Sequence, residues 1–315
     1  MGVKDVAEPR IAVILPCYNE EAAIGQTVAG FRAALPTARI YVYDNNSRDR
    51  TTEVARAAGA IVRTERVQGK GAVVRRMFAD VDADVYVMAD GDATYDAASA
   101  PALVARLLDE QLDMVVGSRV HEAAAAYRRG HQFGNKALTG MLARLFGRSF
   151  TDILSGYRVF SRRFVKSFPA LSGGFEIETE ISVHALELKM PVAEVSTPYF
   201  ERPEGSASKL STYGDGWRIA TTIATLYRIE RPLLFFGAIG GLLALTAVLL
   251  ALPLIFTYLQ TGLVPRFPTA ILATGLMILA SLCGFAGLIL DTVVRGRREV
   301  RRLAYLAHPA PGTAD

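Results

Sequence analysis

The sequence predicts an α/β domain built on a mostly parallel sheet, followed by a hairpin of two transmembrane helices. Three observations carry that expectation. Short apolar runs that end in Pro, Asp or Gly alternate with longer helical stretches through the first third of the chain. Charges are frequent up to Arg231, after which Arg266 is the only charged residue before Asp291. Two uncharged runs, Leu233–Thr257 and Phe267–Leu290, fill that gap, and each exceeds the roughly 20 apolar residues that cross a bilayer core. Hydrophobic residues make up 51% of the chain, and the excess over an ordinary soluble enzyme sits in this second part.

The elements follow in order. Residues 11–16 (IAVILP) suit a buried strand closed by Pro. A helix from Glu20 to Leu35 leads to a strand at Ile40–Tyr43, whose end carries Asp44-Asn45-Asn46-Ser47, and a helix starts near Asp49. Ala60–Arg63 reads as a third strand. Gly69-Lys70-Gly71 then opens a helix over Ala72–Ala79, and the strand Val85–Ala89 ends in Asp90-Gly91-Asp92. A helix over Ala100–Gln111 precedes the strand Met114–Gly117. This alternation argues for helices on both faces of a mostly parallel sheet. Asn19, Asp44, Asp90 and Arg119 all come just after strands, at the carboxyl edge where open α/β sheets bind ligands.

The chain divides into a domain over 1–212, a juxtamembrane segment over 213–232, the hairpin over 233–294, and a basic cytoplasmic tail over 295–315. Arg218, Arg228 and Arg231 precede the hairpin, and Arg295, Arg297, Arg298, Arg301 and Arg302 follow it. The turn between the helices has Arg266 alone, so the positive-inside rule puts the domain and both termini in the cytoplasm of a multi-pass inner-membrane protein. Tyr213–Glu230 mixes Trp217, Ile219, Ile223, Leu226 and Tyr227 with arginines, the pattern of an interfacial amphipathic helix or of a packed surface helix. Pro253 should kink the first transmembrane helix. The hairpin also offers a face for packing with copies of itself, so a homo-oligomer is open to it.

Several classes are disfavoured. Met1–Arg10 lacks the apolar core of a secretory signal, and Val6 stands where a myristoylation signal wants Ser or Thr. Cys17 and Cys283 fall in different parts of the chain and give no disulfide framework or zinc site. The four histidines show no metal-ligand spacing. The net charge of +4 comes from basic residues crowded around the apolar runs, which points to a membrane surface and not to nucleic acid. No G-x-G-x-x-G follows the first strand and no P-loop occurs, against a dinucleotide oxidoreductase or a P-loop NTPase.

Asp90-Gly91-Asp92 is the sharpest local signal. Two carboxylates after a buried strand can hold Mg²⁺ or Mn²⁺ against a diphosphate, with Thr94 and Asp96 adding an oxygen or a water-mediated contact; the alternative is a solvated acidic loop. Asp44 and Asn45 can accept hydrogen bonds from a base or a ribose, or can serve turn formation and capping. Lys70 can reach a phosphate. Arg119 presents a planar fork to an anionic acceptor.

These residues carry a resemblance. Pro16-Cys17-Tyr18-Asn19-Glu20, DNNSRDRT (44–51), GKGAVVR (69–75), DGD (90–92) and VGSR (116–119) stand in the order and spacing of family 2 glycosyltransferases with a GT-A (Rossmann-like) fold. DILSGY (152–157), GFEIETE (174–180) and RPEGSASKL (202–210) resemble the polyprenyl-phosphate branch, which is similar to dolichyl-phosphate mannose synthases and bactoprenol glucosyltransferases. The resemblance covers about residues 10–230. It implies that Pro16, Tyr18, Glu20, Asp44, Asn45, Lys70, Asp90 and Gly91 bind the nucleotide sugar. Asn45 stands where the family usually has a second Asp, and Thr94 where many relatives have Gln. It further implies Asp90, Asp92 and Thr94 at the metal, and Asp92, Arg119, Arg202 and Lys209 as the catalytic set. The acceptor phosphate would meet Arg119 and Lys209, with Arg128, Arg129 or His131 supplying a further basic group.

The expected reaction is inverting transfer from a nucleotide sugar to a polyprenyl phosphate, with a UDP-sugar of glucose or N-acetylglucosamine favoured. A lipid phosphate, with a second pKa near ~6, is anionic at neutral pH and needs no general base. One alternative is a non-processive glycolipid transferase with a hydroxyl acceptor, using Glu176, Glu178 or Asp152 as base. Another is a non-catalytic membrane scaffold. The Q-x-x-R-W motif of a processive synthase is not found. The hairpin is expected to help form the entry route for the lipid.

Overall fold

The computed structural model describes residues 8–121, 140–141, 143–144, 150–171, 177–203, 221, 225 and 228–312. They fall into two compact units, residues 1–216 with 301–315, and residues 217–300.

The first unit is built on a seven-stranded sheet. Its strands are β1 (Ile11–Cys17), β2 (Arg39–Asp44), β3 (Ile61–Thr64), β4 (Val85–Met88), β5 (Met114–His121), β6 (Arg158–Ser161) and β7 (Val192–Tyr199). They lie in the order β3-β2-β1-β4-β6-β5-β7. β6 runs antiparallel to β4 and β5, and the other pairings are parallel. The helices are α1 (Ile24–Ala34), α2 (Thr51–Ala57), α3 (Lys70–Asp80), α4 (Ala100–Asp109), α5 (Arg162–Ser167) and α6 (Ile177–Glu187).

Central strands that are apolar at every position bury both faces. Val13, Leu15, Val42, Val85, Val87 and Val115 share one core cluster with Phe31 of α1 and Leu103 and Leu107 of α4. The alternate residues Ile14, Tyr43, Tyr86, Met88 and Phe160 are buried too, and they point to the opposite face by the two-residue period of a strand. There Phe78 of α3 meets Phe160 edge-on, and Phe164 of α5 stacks on Phe160. Each large side chain so buried contributes about 1.5–3 kcal/mol. The expected mostly parallel sheet is therefore present, and one antiparallel strand is added to it.

Register brings the strand ends to one edge. Cys17 pairs with Asp44, Asp44 with Thr64, and Ile14 with Met88. The loops after β1, β2 and β4 therefore leave at one level. Because β6 runs the opposite way, the segment entering it, Asp152–Tyr157, arrives at that same edge. α1 starts at Ile24 and not at Glu20, since Asn19 adopts a left-handed backbone (φ 52°) that turns the chain first; Asn tolerates this conformation.

The second unit holds α7 (Pro232–Thr261) and most of α8 (Phe267–Leu306), both longer than the uncharged runs. The buried residues Gly240, Ala247 and Leu254 of α7 recur every seven positions, as do Ala273, Ala280, Gly287 and Val294 of α8. That is the seam of a tight helical hairpin. A side chain at Gly240 would come within 2.9 Å of the Ala280 carbonyl oxygen, so the backbones touch there. Only 11% and 17% of the most apolar stretches are buried, unlike core helices of a soluble protein. By length and composition both helices are able to cross a membrane.

The tail expected at 295–315 does not form a separate segment. α8 continues to Leu306, and its last residues belong to the first unit. Arg301 forms an ion pair with Glu187, and Tyr305 donates its hydroxyl to Asp113 at 2.9 Å beneath the Arg163 guanidinium. Asp113 is fully buried, so its charge requires these partners together with Arg163 and Ser161.

Candidate active site

A cavity of about 390 Å³ opens at the carboxyl edge of the sheet. Pro16, Tyr18 and Glu20, leaving β1, form one side, and Asn45 closes the end beyond β2. Gly69 and Lys70 enter at the start of α3, and Asp90, Gly91 and Asp92 form the inner wall after β4, with Arg202 beside them. The structure thus gathers most of the expected nucleotide-sugar residues around one space. Cys17, Gln68 and Val73 also line it and were not anticipated.

The inner wall is a charge cluster. Asp92 is 3% exposed. It accepts the Thr94 hydroxyl at 2.6 Å and pairs with Arg202 at 2.7 Å. Thr94 is therefore engaged with the carboxylate it was expected to accompany at a metal. Burial first, and then Asp90, push the Asp92 carboxyl above its ordinary pKa, against the pull of Thr94 and Arg202. Lys70 Nζ lies 2.5 Å from Asp90 and 2.6 Å from Glu178 of α6. Burial would lower the Lys70 pKa, but the two carboxylates outweigh it and raise it, so the ammonium stays charged. Gly91 has a steric cause: a Cβ there would lie 2.3 Å from Cys17 Sγ.

Asp44, the last residue of β2, and Asn45 just beyond it act as loop organisers. Asn45 donates to the Glu65 and Val67 carbonyls at 2.9 and 2.8 Å and accepts Gly69 N–H at 2.7 Å. It thereby holds the loop that delivers Lys70. Asp44 accepts the Ser47 N–H at 3.3 Å, which is the turn-forming alternative. Asn45 lines the cavity while its amide is occupied within the protein.

Arg119, just beyond the cavity wall, makes a two-pronged pair with Asp152 at 2.7 and 2.8 Å and lies 5.5 Å from the Tyr199 ring centre. Burial would raise the Asp152 pKa, but Arg119 outweighs it and holds the carboxyl below its usual range. Arg158, unremarked in the sequence, is fully buried. It donates to the Ser155 carbonyl at 2.8 Å and the Ile153 carbonyl at 2.5 Å, and to Ser182 at 2.9 Å. Burial lowers its pKa to about 10. The same loop is tied by Gly156 N–H to the Tyr95 hydroxyl at 2.8 Å, and a Cβ on Gly156 would meet Asp90 Oδ2 at 3.0 Å. Arg158 and Tyr95 thus position a loop that touches both Arg119 and Asp90. Lys209, Arg128, Arg129, His131 and Glu176 lie outside the described residues.

The donor set fits a hard divalent cation shared with a diphosphate. Among the described residues, no three His, Cys, Asp or Glu side chains gather to cage an ion. Mg²⁺ is ordinarily held by one or two carboxylates, with substrate phosphates and water completing its shell. Asp90 and Asp92 would supply those carboxylates, and a cation held by both would offset the repulsion between two like charges.

Residues 12–168 match the model of "Glycosyl transferase family 2". Glycosyltransferase AglJ of Haloferax volcanii is 31% identical over 92% of this chain and 95% of its own length. A dolichyl-phosphate hexose transferase of the same organism is 29% identical over 70% of this chain and 95% of its own. Glucosyl-3-phosphoglycerate synthase of Mycobacterium tuberculosis, crystallised with Mn²⁺, UDP-glucose and phosphoglyceric acid, superposes with a TM-score of 0.54. It is 25% identical over 70% of this chain and 79% of that one. With its GT-A sheet, its carboxylate pair at the strand edge and these matches, the chain belongs to glycosyl transferase family 2 and is a glycosyltransferase.

Proposed function

We propose that this enzyme transfers a sugar, with inversion, from a nucleotide sugar to a polyprenyl phosphate at the cytoplasmic face of the inner membrane. A UDP-sugar of glucose or N-acetylglucosamine is the favoured donor. The observation that carries this reading is the cavity whose inner wall joins Asp90, Asp92, Lys70 and Arg202. Pro16, Tyr18 and Glu20 line the same cavity as the charged groups suited to a diphosphate. A divalent cation, Mg²⁺ or Mn²⁺, when bound by Asp90 and Asp92, would neutralise charge building on the departing nucleoside diphosphate. Lys70 and Arg202 add fixed positive charge on the same side.

The acceptor reading rests on two supports. One relative is named for dolichyl phosphate and hexose, and this chain has two helices of membrane-spanning length and composition. Of the three candidate bases for a hydroxyl acceptor, Asp152 is paired with Arg119 and one oxygen of Glu178 with Lys70, while Glu176 lies outside the described residues. Arg119, oriented by Asp152, would hold the acceptor phosphate, an anion that attacks without deprotonation. The protein's contribution is then orientation and electrostatics.

A panel of radiolabelled UDP- and GDP-sugars with undecaprenyl phosphate, read in the lipid phase, tests this assignment. Transfer should require a divalent cation and fall at least about 100-fold in Asp92→Asn, with the thermal unfolding midpoint retained. Undiminished transfer by that variant would remove the carboxylate pair from the reaction.

A further inference from the structure

Glu178 presents an imbalance that sugar transfer does not use. It is 5% exposed. Its Oε1 lies 2.6 Å from Lys70 Nζ, while Oε2 is buried without a hydrogen-bond partner among the described residues. Leaving a buried carboxylate oxygen unsatisfied is costly. The cation that this carboxylate already faces is the Lys70 ammonium, which has three N–H bonds and is shared with Asp90 at 2.5 Å. A small pivot of Lys70 would let it donate to both Glu178 oxygens and would release Asp90. Arg202 similarly covers Asp92 Oδ2 at 2.7 Å. Both candidate metal-binding carboxylates thus carry an internal cation, and a metal ion arriving alone would have to compete with a charge of its own sign.

We propose that Lys70 is a counter-ion with two positions. Its ammonium is shared between Asp90 and Glu178 and withdraws to Glu178 alone when a divalent cation arrives together with a diphosphate. Glu178 is the positioning residue that provides the second place. The inference rests on the metal–diphosphate reading of the cavity given above. It makes cation and nucleotide bind as a coupled pair: the cation needs Asp90 vacated, and the anionic diphosphate offsets its charge beside the displaced ammonium.

The test is Mn²⁺ binding to the full-length protein in detergent, followed by electron paramagnetic resonance with and without UDP, in wild type, K70Q, E178Q and the double variant. An opposite charge in contact with a carboxylate shifts its cation affinity about tenfold or more. K70Q should therefore tighten Mn²⁺ binding in the absence of UDP by about tenfold. E178Q should weaken Mn²⁺ binding in the presence of UDP by a similar factor, and should have no further effect in the K70Q background, because Glu178 acts through the lysine. Should one variant lose its cooperative thermal transition, the other single variant decides.

Equal Mn²⁺ affinities across wild type and variants would overturn the inference while leaving the metal reading intact. So would an E178Q loss that persists undiminished in K70Q, which marks a structural role. Loss of transfer in E178Q with Mn²⁺ binding unchanged would also overturn it, and would mark a general base. Wild-type protein that fails to bind Mn²⁺ even with UDP would overturn the metal reading and this inference together.

Discussion

His184 of α6 lies between Phe164 and Phe168, 1% exposed, with Nε2 3.1 Å from the Ser167 hydroxyl and Nδ1 without a partner among the described residues. Burial, and then the Arg301 charge, lower its pKa from 6.5 to about 3. Below the ordinary value the unfolded chain takes up a proton that the folded one refuses. The stabilisation is therefore complete above pH 6.5 and is lost as pH falls toward the folded value, by about 1.4 kcal/mol per pH unit. The thermal midpoint of the detergent-solubilised protein should drop between pH 7 and pH 5, and His184→Gln should flatten that slope. Parallel pH profiles for the two proteins would contradict the assignment. The sequence offered no route to this residue, whose aromatic cage spans Phe164 to His184 and forms only when α5 and α6 pack. Asp90 and Asp92 were legible because their meaning lies in a three-residue spacing after an apolar run. The structural use of Asn45 was not, since its partners Glu65, Val67 and Gly69 are brought to it by the pairing of β2 with β3.

The element that organises the site is the segment Asp152–Tyr157 entering β6. It supplies Asp152 to Arg119 and Gly156 to the neighbourhood of Asp90, and Arg158 fastens it from beneath. The parallel strands β1 to β5 were readable as apolar runs at regular spacing, but the parallel strand β7, which carries Glu194, Ser196 and Thr197 among its apolar residues, was not. β6 was missed because it has four residues and one of them is an arginine, which interrupts the apolar pattern that signals a buried strand. The loop after β4 yields a sharper test of packing. Gly91→Ala would force a Cβ to 2.3 Å from Cys17 Sγ and push the loop carrying Asp90 and Asp92 out of register. UDP–Mn²⁺ affinity should fall about tenfold or more, on the scale of 1–3 kcal/mol that overpacking costs. Adding Cys17→Ala, which removes the sulfur, should recover much of it. A double variant as impaired as Gly91→Ala alone would show that the clash is not the cause.

At the scale of the whole molecule, the stretch between Arg231 and Asp291, with Arg266 its only charge, was legible as apolar, and the two helices that fill it are long and apolar enough to cross a membrane. The extent of α8 was less legible. Its last turns carry arginines and read as a basic tail, and Arg301 and Tyr305 meet acids of the first unit, Glu187 and Asp113. Length and hydropathy say where a chain can meet lipid, but not which distant carboxylate a flanking arginine will satisfy. The membrane-length helices also bear on the choice of acceptor. An isoprenoid chain stays in the bilayer because each buried CH₂ is worth about 0.8 kcal/mol, so an enzyme that uses such an acceptor has to work at the surface. The most direct measurement of that claim compares undecaprenyl phosphate with undecaprenol and diacylglycerol as acceptors for the purified chain, with one labelled donor and a divalent cation. The account predicts label in the lipid phase with the phosphate alone; comparable transfer to either hydroxyl lipid would contradict it.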